Sequence, residues 1–464
     1  MSTNKNSISN SQELDQGSAF WRFSKRFQFA AENIIPDPLV FCLILTIIIF
    51  VAGVIFTGTG IIGMLNAWFN GIWSQIAFAF QMSFMVVTCS VTARSKQVKN
   101  GLTKLARLVK TPVAAIILLM IFGYISSFMN WAFGTIATPV LAMQMTKNIR
   151  GLHFPMLIAA GYSTMILGQC WGPSASVYAL IAGSEHFLVD KIGVITQDVS
   201  VYNSMNTVLF WFLAVGTIIL TIKTMPPKHE VVEFHGLDDV EETVVEEVKG
   251  KKTFADRMNN SRVIMYLIGA AGLVNIGYTI SQKGILGSLS LNFVIFIFLT
   301  VNFFLYNAPS EFIASYRKNM GLATDVMIQF PFYGGIQGMM STSGLGQIIV
   351  GGFTSIATAY TLPLFSYYSA SIVNLFIPSQ GGQWIIQGPI LVDAAIELNA
   401  NIPHVINAFV YGDEATNLLQ PLYVIPALAI VRMKLKDVWG YMAFIWLFWF
   451  IFTTIGYLVL PAFL

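Results

Sequence analysis

The chain has 464 residues, of which 55% are hydrophobic and only 11% are charged, and its formal net charge is +3. Soluble globular domains usually carry about 25% charged residues. Here no Asp, Glu, Lys or Arg occurs between Pro38 and Ala93, or between Val326 and Val392. Because about 20 apolar residues cross a bilayer, each stretch holds two or more spans. This excludes a soluble enzyme, a disordered chain and a nucleic-acid-binding protein, and it predicts an all-α polytopic protein of the lipid bilayer.

Polarity divides the chain into four regions. Residues 1–30 form a polar tail that ends in alternating basic and aromatic residues, a pattern typical of a cytoplasmic interfacial segment. Residues 225–261 hold nine of the 23 acidic residues, eight of them between Glu230 and Glu247, and indicate a solvated cytoplasmic linker. The linker separates a first transmembrane repeat at 31–224 from a second at 262–464. The loop 94–110 holds six basic residues and no acid, which places it and the N-terminus in the cytoplasm.

The two halves share short residue matches in the same order, which indicates an internal repeat. The matches include Leu45-Thr46 with Leu299-Thr300, Pro112 with Pro363, and Tyr162 with Tyr411. The basic loop of the first half corresponds to an uncharged segment near 342–361. Equivalent segments are therefore expected to have opposite orientation, and inverted repeats of this kind are typical of secondary transporters.

The strongest local motif lies at residues 374–389, where Pro, Ser and Gly interrupt an apolar stretch. Pro378 and the following glycines predict the end of one helix and a tight turn. Ser379 and Gln380 can cap a second helix that starts at about Gln383. Such a hairpin, with its tip inside the membrane, presents free N–H groups to an anion. The predicted substrate-binding residues are Asn374, Ser379, Gln380, Gly381, Gly382 and Gln383. The alternative is a plain loop between two spans.

The corresponding segment of the first half is 130–139, which contains Asn130, Gly134 and Thr135. We predict that these three residues also contact the substrate. The alternative is an interfacial tryptophan beside an ordinary helix bend.

A second pair of sites lies in two interrupted spans, at 162–176 and 411–421. Asp413 and Glu414 are the acidic residues of a span that is otherwise free of Asp, Glu, Lys and Arg, and a buried ionisable pair is costly unless it has a function. We predict that Asp413, Glu414 and Asn417 carry a coupling ion, either H⁺ or Na⁺. The alternative is that both acids lie at the aqueous end of the span.

The sequence gives no support for catalysis. No HExxH, GxSxG or P-loop motif occurs, and the five histidines are dispersed. We therefore predict no catalytic residue, no resident metal and no cofactor other than the coupling ion. Because Lys and Arg are absent from 326–392, a bound carboxylate would be held by N–H, amide and hydroxyl donors, which favours a small monoanion over a dianion.

These motifs resemble the short-chain fatty acid transporter family over residues 20–460. The resemblance is carried by residues 35–41 with Leu45-Thr46, 130–134, 329–337 with 343–346, 384–389, and 411–428. It implies a bacterial inner-membrane permease for acetoacetate, butyrate and related carboxylates, with two inverted repeats, two re-entrant hairpins, elevator-like alternating access and a homodimer. The family is expected to have glycines directly after Pro378-Ser379, whereas this chain has Gln380, and 168–176 is less glycine-rich than expected.

The predicted function is therefore a secondary carrier for short monocarboxylates, coupled to H⁺ or Na⁺. Two alternatives remain at this stage: a carrier for dicarboxylates or amino-acid-like anions, and a passive anion channel.

Overall fold

A computed structural model describes residues 18–34, 37–74, 76–129, 131–173, 175–183, 186, 188–234, 253–288 and 291–463. Within these ranges every regular element is a helix, which confirms the predicted all-α class. Five helical stretches are long and apolar enough to cross a membrane: 38–56, 204–223, 262–285, 435–462, and 60–92, which comprises two described helices on either side of residue 75. The protein is therefore a polytopic membrane protein.

The first half contains twelve of the described α-helices. They are α1 (Ala19–Ile34), α2 (Pro38–Phe56), α3 (Gly60–Ser74), α4 (Ile76–Arg94), α5 (Lys96–Ala106), α6 (Pro112–Met129), α7 (Trp131–Thr146), α8 (Phe154–Leu167), α9 (Ser176–Ile181), α10 (Val189–Ile192), α11 (Gln197–Ser200) and α12 (Ser204–Lys223). A short 3-10 helix, Gly168–Trp171, follows α8 directly.

Eleven further described α-helices follow, of which the first lies in the predicted linker and the other ten in the second repeat. They are α13 (Phe254–Asn259), α14 (Arg262–Ser288), α15 (Leu291–Leu305), α16 (Pro309–Asn319), α17 (Thr324–Ser343), α18 (Leu345–Thr354), α19 (Leu362–Asn374), α20 (Gln380–Leu398), α21 (Ile402–Thr416), α22 (Ile425–Val431) and α23 (Leu435–Val459). Gly284 interrupts α14 with a left-handed backbone, φ 70°. Residues 235–252 of the predicted acidic linker lie outside the described residues.

Two short helices form the centre of the molecule. Every residue of α8 is buried, and α21 is buried from Val405 to Thr416. In each half the central helix packs against two preceding helices, α6 and α7 around α8, and α19 and α20 around α21. Both central helices end before they could complete a span, because 14 or 15 residues at 1.5 Å each are too short for the ~30 Å core of a bilayer. The broken ends therefore lie in the interior.

Small residues allow the closest helix crossings. A Cβ added at Gly412 of α21 would lie 2.3 Å from the Tyr367 carbonyl oxygen of α19. A Cβ at Gly71 of α3 would lie 2.3 Å from the Gly334 carbonyl oxygen of α17. Backbones in membrane bundles approach this closely only where the side chain is absent or very small.

A polar network joins helices of the two halves away from the centre. The Thr92 hydroxyl of α4 donates to the Asn302 amide oxygen of α15 at 2.8 Å. The Tyr316 hydroxyl of α16 donates to Thr88 at 3.0 Å, and Tyr306 donates to the Val91 carbonyl at 2.8 Å. These contacts hold α4 between α15 and α16, so the two halves pack together along this side as well.

The N-terminal helix α1 packs against α23 rather than extending as a tail. Trp21 is only 2% exposed, and Phe23 contacts Phe444 with ring centroids 5.7 Å apart. The helix runs across the predicted boundary at residue 30, and residues 1–17 lie outside the described residues.

Candidate functional site

The broken ends of α8 and α21 meet in the interior. The Tyr162 hydroxyl of α8 donates to the Asn417 carbonyl oxygen at 2.9 Å. Gln169, in the 3-10 turn after α8, donates from Nε2 to Glu414 Oε2 at 3.0 Å. A second tyrosine, Tyr178 of α9, donates to Asn407 Oδ1 at 2.9 Å. The two halves are thus joined by side chains that the sequence placed about 250 residues apart.

Glu414 accepts hydrogen bonds from both halves of the protein. Its carboxylate accepts hydrogen bonds from Gln169 at 3.0 Å, from Gln380 Nε2 at 2.8 Å and from Asn417 Nδ2 at 3.4 Å. The side chain is 2% exposed. Hydrogen bonds to a charged group contribute about 1.5–3 kcal/mol each, so three amides partly replace the hydration that burial removes. No Lys or Arg takes part in these contacts, and this agrees with the charge-free sequence around them.

The hairpin tip between α19 and α20 contacts the first half through Gln380. Its Oε1 accepts the Val177 N–H at 2.9 Å while its Nε2 donates to Glu414. A Cβ at neighbouring Gly381 would lie 3.7 Å from the Ser176 Cβ. The tip therefore faces the start of α9 as well as α21.

The second helix of the hairpin begins earlier than the sequence indicated. It starts at Gln380 rather than near Gln383, because the Ser379 hydroxyl caps it by accepting the Gly382 N–H at 3.4 Å. Gly381 and Gly382 therefore lie in the first helical turn and not in the connecting turn. The predicted capping role of Ser379 is confirmed. As at any helix start, the N–H groups of Gln380 and Gly381 have no carbonyl partner within their own helix.

Asn374, the last residue of α19, lies inside a group of oxygen atoms. Its Nδ2 is 2.6 Å from the Asp413 carbonyl oxygen, 2.9 Å from Thr416 Oγ1 and 2.8 Å from Asn417 Oδ1. An amide nitrogen has two hydrogens to donate, so three acceptors exceed its capacity. Gln420 Nε2 donates to the same Asn417 oxygen at 2.8 Å.

Several buried oxygens near this point have no hydrogen-bond donor among the described residues. They are Asn374 Oδ1, Gln383 Oε1 and both carboxylate oxygens of Asp413. Asp413 is 1% exposed, and Asn374 and Gln383 are fully buried. Gln383 uses its Nε2 to donate to the Ala370 carbonyl at 2.9 Å and to Gln387 Oε1 at 2.6 Å. The hydroxyls of Tyr367 and Tyr411 and the Trp384 indole N–H also have no hydrogen-bond partner among the described residues, so the interior around α21 holds unpaired polar groups of both kinds.

Of the three predicted first-half residues, the structure describes Gly134 and Thr135, and both lie in α7. Gly134 faces α8, where an added Cβ would lie 2.9 Å from Met165 Cγ, and its carbonyl accepts the Thr138 hydroxyl at 2.8 Å. Thr135 is buried in the same helix. Asn130 lies outside the described residues. A role for these three in substrate binding stays a prediction.

Several residues that make these contacts were not among the predicted site residues, and Gln169, Val177 and Thr416 are examples. Gln169 and Thr416 lie within the two interrupted spans singled out in the sequence, but neutral residues in apolar segments gave no reason to choose them. Val177 contributes a backbone N–H, which no side-chain pattern can indicate.

Two cavities of the described residues lie away from Glu414 and the hairpin tip. One of about 630 Å³ lies beside Trp21, His153 and Tyr441, and one of about 480 Å³ lies beside Asp37, Gln329 and Lys434. Charged residues line both cavities, which therefore lie at the polar ends of the helices. Gln380, Asp413 and Glu414 are each at most 7% exposed, so solvent has little access to them in this conformation.

Comparison with known proteins assigns the family. A family model described as short chain fatty acid transporter matches residues 19–460. The chain belongs to the short-chain fatty acid transporter family. Members of this family are transporters and not enzymes, so this chain moves a small molecule across a lipid membrane.

Two curated relatives cover nearly the same length. A protein of Escherichia coli (strain K12), provisionally named a short-chain fatty acid transporter, is 31% identical over 423 residues, which cover 90% of this chain and 94% of that protein. One of Haemophilus influenzae with the same provisional name is 29% identical over 427 residues, covering 90% and 95%. Among solved structures, the YdaH transporter of Alcanivorax borkumensis matches with 14% identity and a TM-score of 0.44, covering 90% of this chain and 98% of that one. At that similarity it adds nothing to the fold described above.

The buried site of this transporter has groups that suit an anion and groups that suit a cation. The start of α20 offers backbone N–H groups in a buried place without cationic side chains, which is suited to a single carboxylate. The ends of α19 and α21 offer unpartnered oxygens and two carboxylates, which are suited to a proton or a cation.

Proposed function

We propose that the protein is a secondary active carrier for short monocarboxylates such as butyrate or acetoacetate, coupled to H⁺ or Na⁺. The substrate carboxylate binds at the start of α20, near Ser379, Gln380 and Gly381. The predicted contacts from Asn130, Gly134 and Thr135 belong to the same proposal. Transport follows elevator-type alternating access.

The observation that carries the proposal is the double contact of Gln380. One side chain bonds both the buried Glu414 carboxylate and the Val177 N–H of the other half. A hairpin tip held at this point separates the interior from one side of the membrane. Its release would expose the N–H groups of α20, so binding and gating involve the same few residues.

Charge explains why transport should be coupled to an ion. A substrate carboxylate at the start of α20 would share a buried region with the carboxylates of Asp413 and Glu414. Burying several negative charges without compensation is strongly unfavourable. No Lys or Arg occurs between 326 and 392 to neutralise them. A co-transported H⁺ or Na⁺ supplies the missing positive charge.

The architecture proposed for this mechanism has two inverted repeats, 31–224 and 262–464, joined by the cytoplasmic linker 225–261. It is supported by the ordered residue matches and by the shared arrangement of a helix pair before each broken central helix, α6 and α7 before α8, and α19 and α20 before α21. We further propose a homodimer in the bacterial inner membrane with a cytoplasmic N-terminus. The basic loop 94–110 supports that orientation.

The test is counterflow in proteoliposomes. Vesicles with the purified protein are loaded with unlabelled butyrate and diluted into labelled butyrate, with no ion gradient. A carrier gives transient accumulation of label, because internal butyrate returns the carrier to the outside. A channel gives simple equilibration.

Competitors define the substrate class. Acetoacetate in the external buffer should suppress accumulation, whereas succinate and a neutral amino acid should not. Suppression by succinate would assign the protein to dicarboxylates instead. Absence of transient accumulation with every substrate would contradict a carrier mechanism.

A further inference from the structure

The oxygen atoms around Asn374 suggest what the coupling ion is. Four residues, Asn374, Asp413, Thr416 and Asn417, are here called the oxygen cluster. All four are at most 2% exposed. They bring together a backbone carbonyl, a hydroxyl and two side-chain amides, and the residue that gives the carbonyl, Asp413, also carries a carboxylate. Hard cations are bound by such oxygen ligands.

The hydrogen bonds of the cluster do not balance. The Asn374 Nδ2 group faces three acceptors within 2.9 Å and has two hydrogens. The Asn374 oxygen has no donor, although it is fully buried. The Asp413 carboxylate, on the same residue as the carbonyl that Asn374 contacts, has no donor for either oxygen. An unmet buried acceptor costs about 1–3 kcal/mol, and more when it is charged.

Rotation of the Asn374 amide by 180° exchanges its nitrogen and oxygen without a change of shape. The oxygen would then face the Asp413 carbonyl, Thr416 Oγ1 and Asn417 Oδ1. Four oxygens around one point repel each other unless a cation lies between them. The cluster therefore has two possible states: the observed one, with the amide N–H groups turned inward and the hydrogen bonds unbalanced, and one with the amide oxygen turned inward and a cation bound.

We propose that the oxygen cluster is a Na⁺ site and that Na⁺ is the coupling ion of this transporter. This rests on the proposed function, since it names the ion of that carrier. Of the four residues only Asp413 is acidic, and its one carboxylate balances a single positive charge, so a monovalent cation fits better than a divalent one. Cells keep Na⁺ low and K⁺ high inside, so of these two ions only Na⁺ can drive uptake.

The position of the cluster explains how the ion acts on the substrate site. Asn374 ends α19, five residues before Ser379 at the hairpin tip. Asn417 donates to Glu414, which in turn accepts from Gln380 of the tip. Na⁺ binding changes the partners of Asn374 and Asn417, and through them the bonds that hold the tip.

The first measurement uses binding alone. The thermal unfolding of the purified full-length protein in detergent is followed while NaCl replaces choline chloride at constant ionic strength and constant pH. Na⁺ should raise the midpoint temperature in a saturable way, because a ligand that binds only the native state stabilises it. KCl should give no comparable rise.

The variants Thr416→Val and Thr416→Ser test the ligand set. The valine removes the hydroxyl at nearly constant shape, and should weaken the apparent Na⁺ affinity about tenfold or more. The serine keeps the hydroxyl and should stay within about threefold of the parent. Thr221→Val is the matched control, because Thr221 is equally buried and its hydroxyl donates to the Thr217 carbonyl at 2.8 Å, just as Thr416 donates to Gly412 at 3.0 Å.

The second measurement is butyrate uptake driven by a Na⁺ gradient or by a pH gradient, next to counterflow without gradients. Uptake that needs external Na⁺, with a half-saturating concentration raised by Thr416→Val, supports the site. Active counterflow with no effect of Na⁺ on uptake or stability overturns the Na⁺ site and leaves the carrier intact. A Na⁺-dependent rise in stability without counterflow supports the site and overturns the proposed carrier function.

Discussion

Gln380 Nε2 donates a 2.8 Å hydrogen bond to the carboxylate of Glu414, and both side chains are buried. The same Gln380 accepts the Val177 N–H at 2.9 Å. One side chain thereby connects the hairpin tip, the central helix α21 and the start of α9. It occupies the position where the family resemblance implies a glycine.

We expect Gln380→Ala to weaken both stability and transport. The substitution leaves the Val177 N–H without its acceptor and removes one of three donors from Glu414, at about 1–3 kcal/mol for each unmet buried group. The thermal unfolding midpoint should fall, and counterflow of butyrate should be reduced. Gln347→Ala is the control, since Gln347 is exposed in α18. Equal effects of both variants would argue against a special role for Gln380.

Replacing Glu414 or Asp413 by the corresponding amide should have different effects on the thermal unfolding midpoint. Glu414 accepts three amide hydrogen bonds, so Glu414→Gln places an amide NH₂ against donors of Gln169, Gln380 or Asn417. We expect it to lower the unfolding midpoint. Asp413 has no donor on either oxygen among the described residues, so Asp413→Asn removes a buried charge and breaks no hydrogen bond of its side chain. We expect it to leave the midpoint unchanged or higher.

Transport assays test whether Asp413 has a role in ion coupling. Asp413→Asn should abolish uptake driven by an ion gradient yet leave butyrate exchange largely intact, if Asp413 carries the charge of the coupling ion. Both activities are measured in the same proteoliposome preparation, so protein amount is controlled. Equal loss of gradient-driven uptake and exchange would assign Asp413 a structural role instead.

Some parts of this site were predictable from the sequence for clear physical reasons. Asp413 and Glu414 could be chosen because a carboxylate in a charge-free span is rare and costly. Pro378 and Ser379 marked the hairpin because proline cannot continue a helix and serine caps one. The start of α20 was misplaced, because the two glycines were interpreted as a turn although a capped first helical turn tolerates them.

The contacts between the halves could not be predicted. Gln169 bonds Glu414 across 245 residues, and Gln380 bonds Val177 across 203. Neutral amides and backbone N–H groups leave no periodic or charge signal in an apolar segment. Their importance appears only when the packing of α8, α9 and α21 is known.

The crossing of α19 and α21 should not tolerate a side chain at Gly412. A Cβ there would lie 2.3 Å from the Tyr367 carbonyl oxygen and 2.8 Å from Ala370 Cβ, so the two helices would have to separate. Separation would disturb Asn374 and Asp413, which lie on the same pair of helices. We expect Gly412→Ala to lower the yield of monodisperse protein and its unfolding midpoint.

Gly277→Ala is the control for this substitution. Gly277 lies in α14, and nothing lies within 4 Å of a Cβ built there. Alanine favours a helix over glycine by about 1 kcal/mol, so this variant should be neutral or slightly more stable. Both are compared by size-exclusion chromatography and thermal unfolding. A normal midpoint for Gly412→Ala would show that the crossing can relax.

The last prediction concerns the start of the linker, which is attached to the loop before α8. His153 Nδ1 accepts the Val232 N–H at 3.0 Å, and the Phe154 N–H donates to the Val232 carbonyl at 2.9 Å. His153 Nε2 lies 2.7 Å from the Tyr441 hydroxyl. This attachment requires a neutral imidazole, because a protonated Nδ1 cannot accept a hydrogen bond.

Burial lowers the pKa of His153 from its ordinary 6.5 to about 4. The attached form therefore binds fewer protons than a detached form in which His153 is hydrated. Its stabilisation is complete above about pH 6.5 and declines as the pH falls toward 4. Hydrogen–deuterium exchange of residues 228–234, corrected for the intrinsic pH dependence, should show decreasing protection over that range.

Two substitutions of His153 distinguish the proton effect from packing. His153→Asn keeps an acceptor for the Val232 N–H but cannot titrate, so protection should persist and lose its pH dependence. His153→Leu removes the acceptor, and protection should be low at every pH. His229→Gln is the control in the same segment, because His229 is exposed. If His153→Asn showed the same loss of protection at low pH as the parent, another group would have to be the one that titrates.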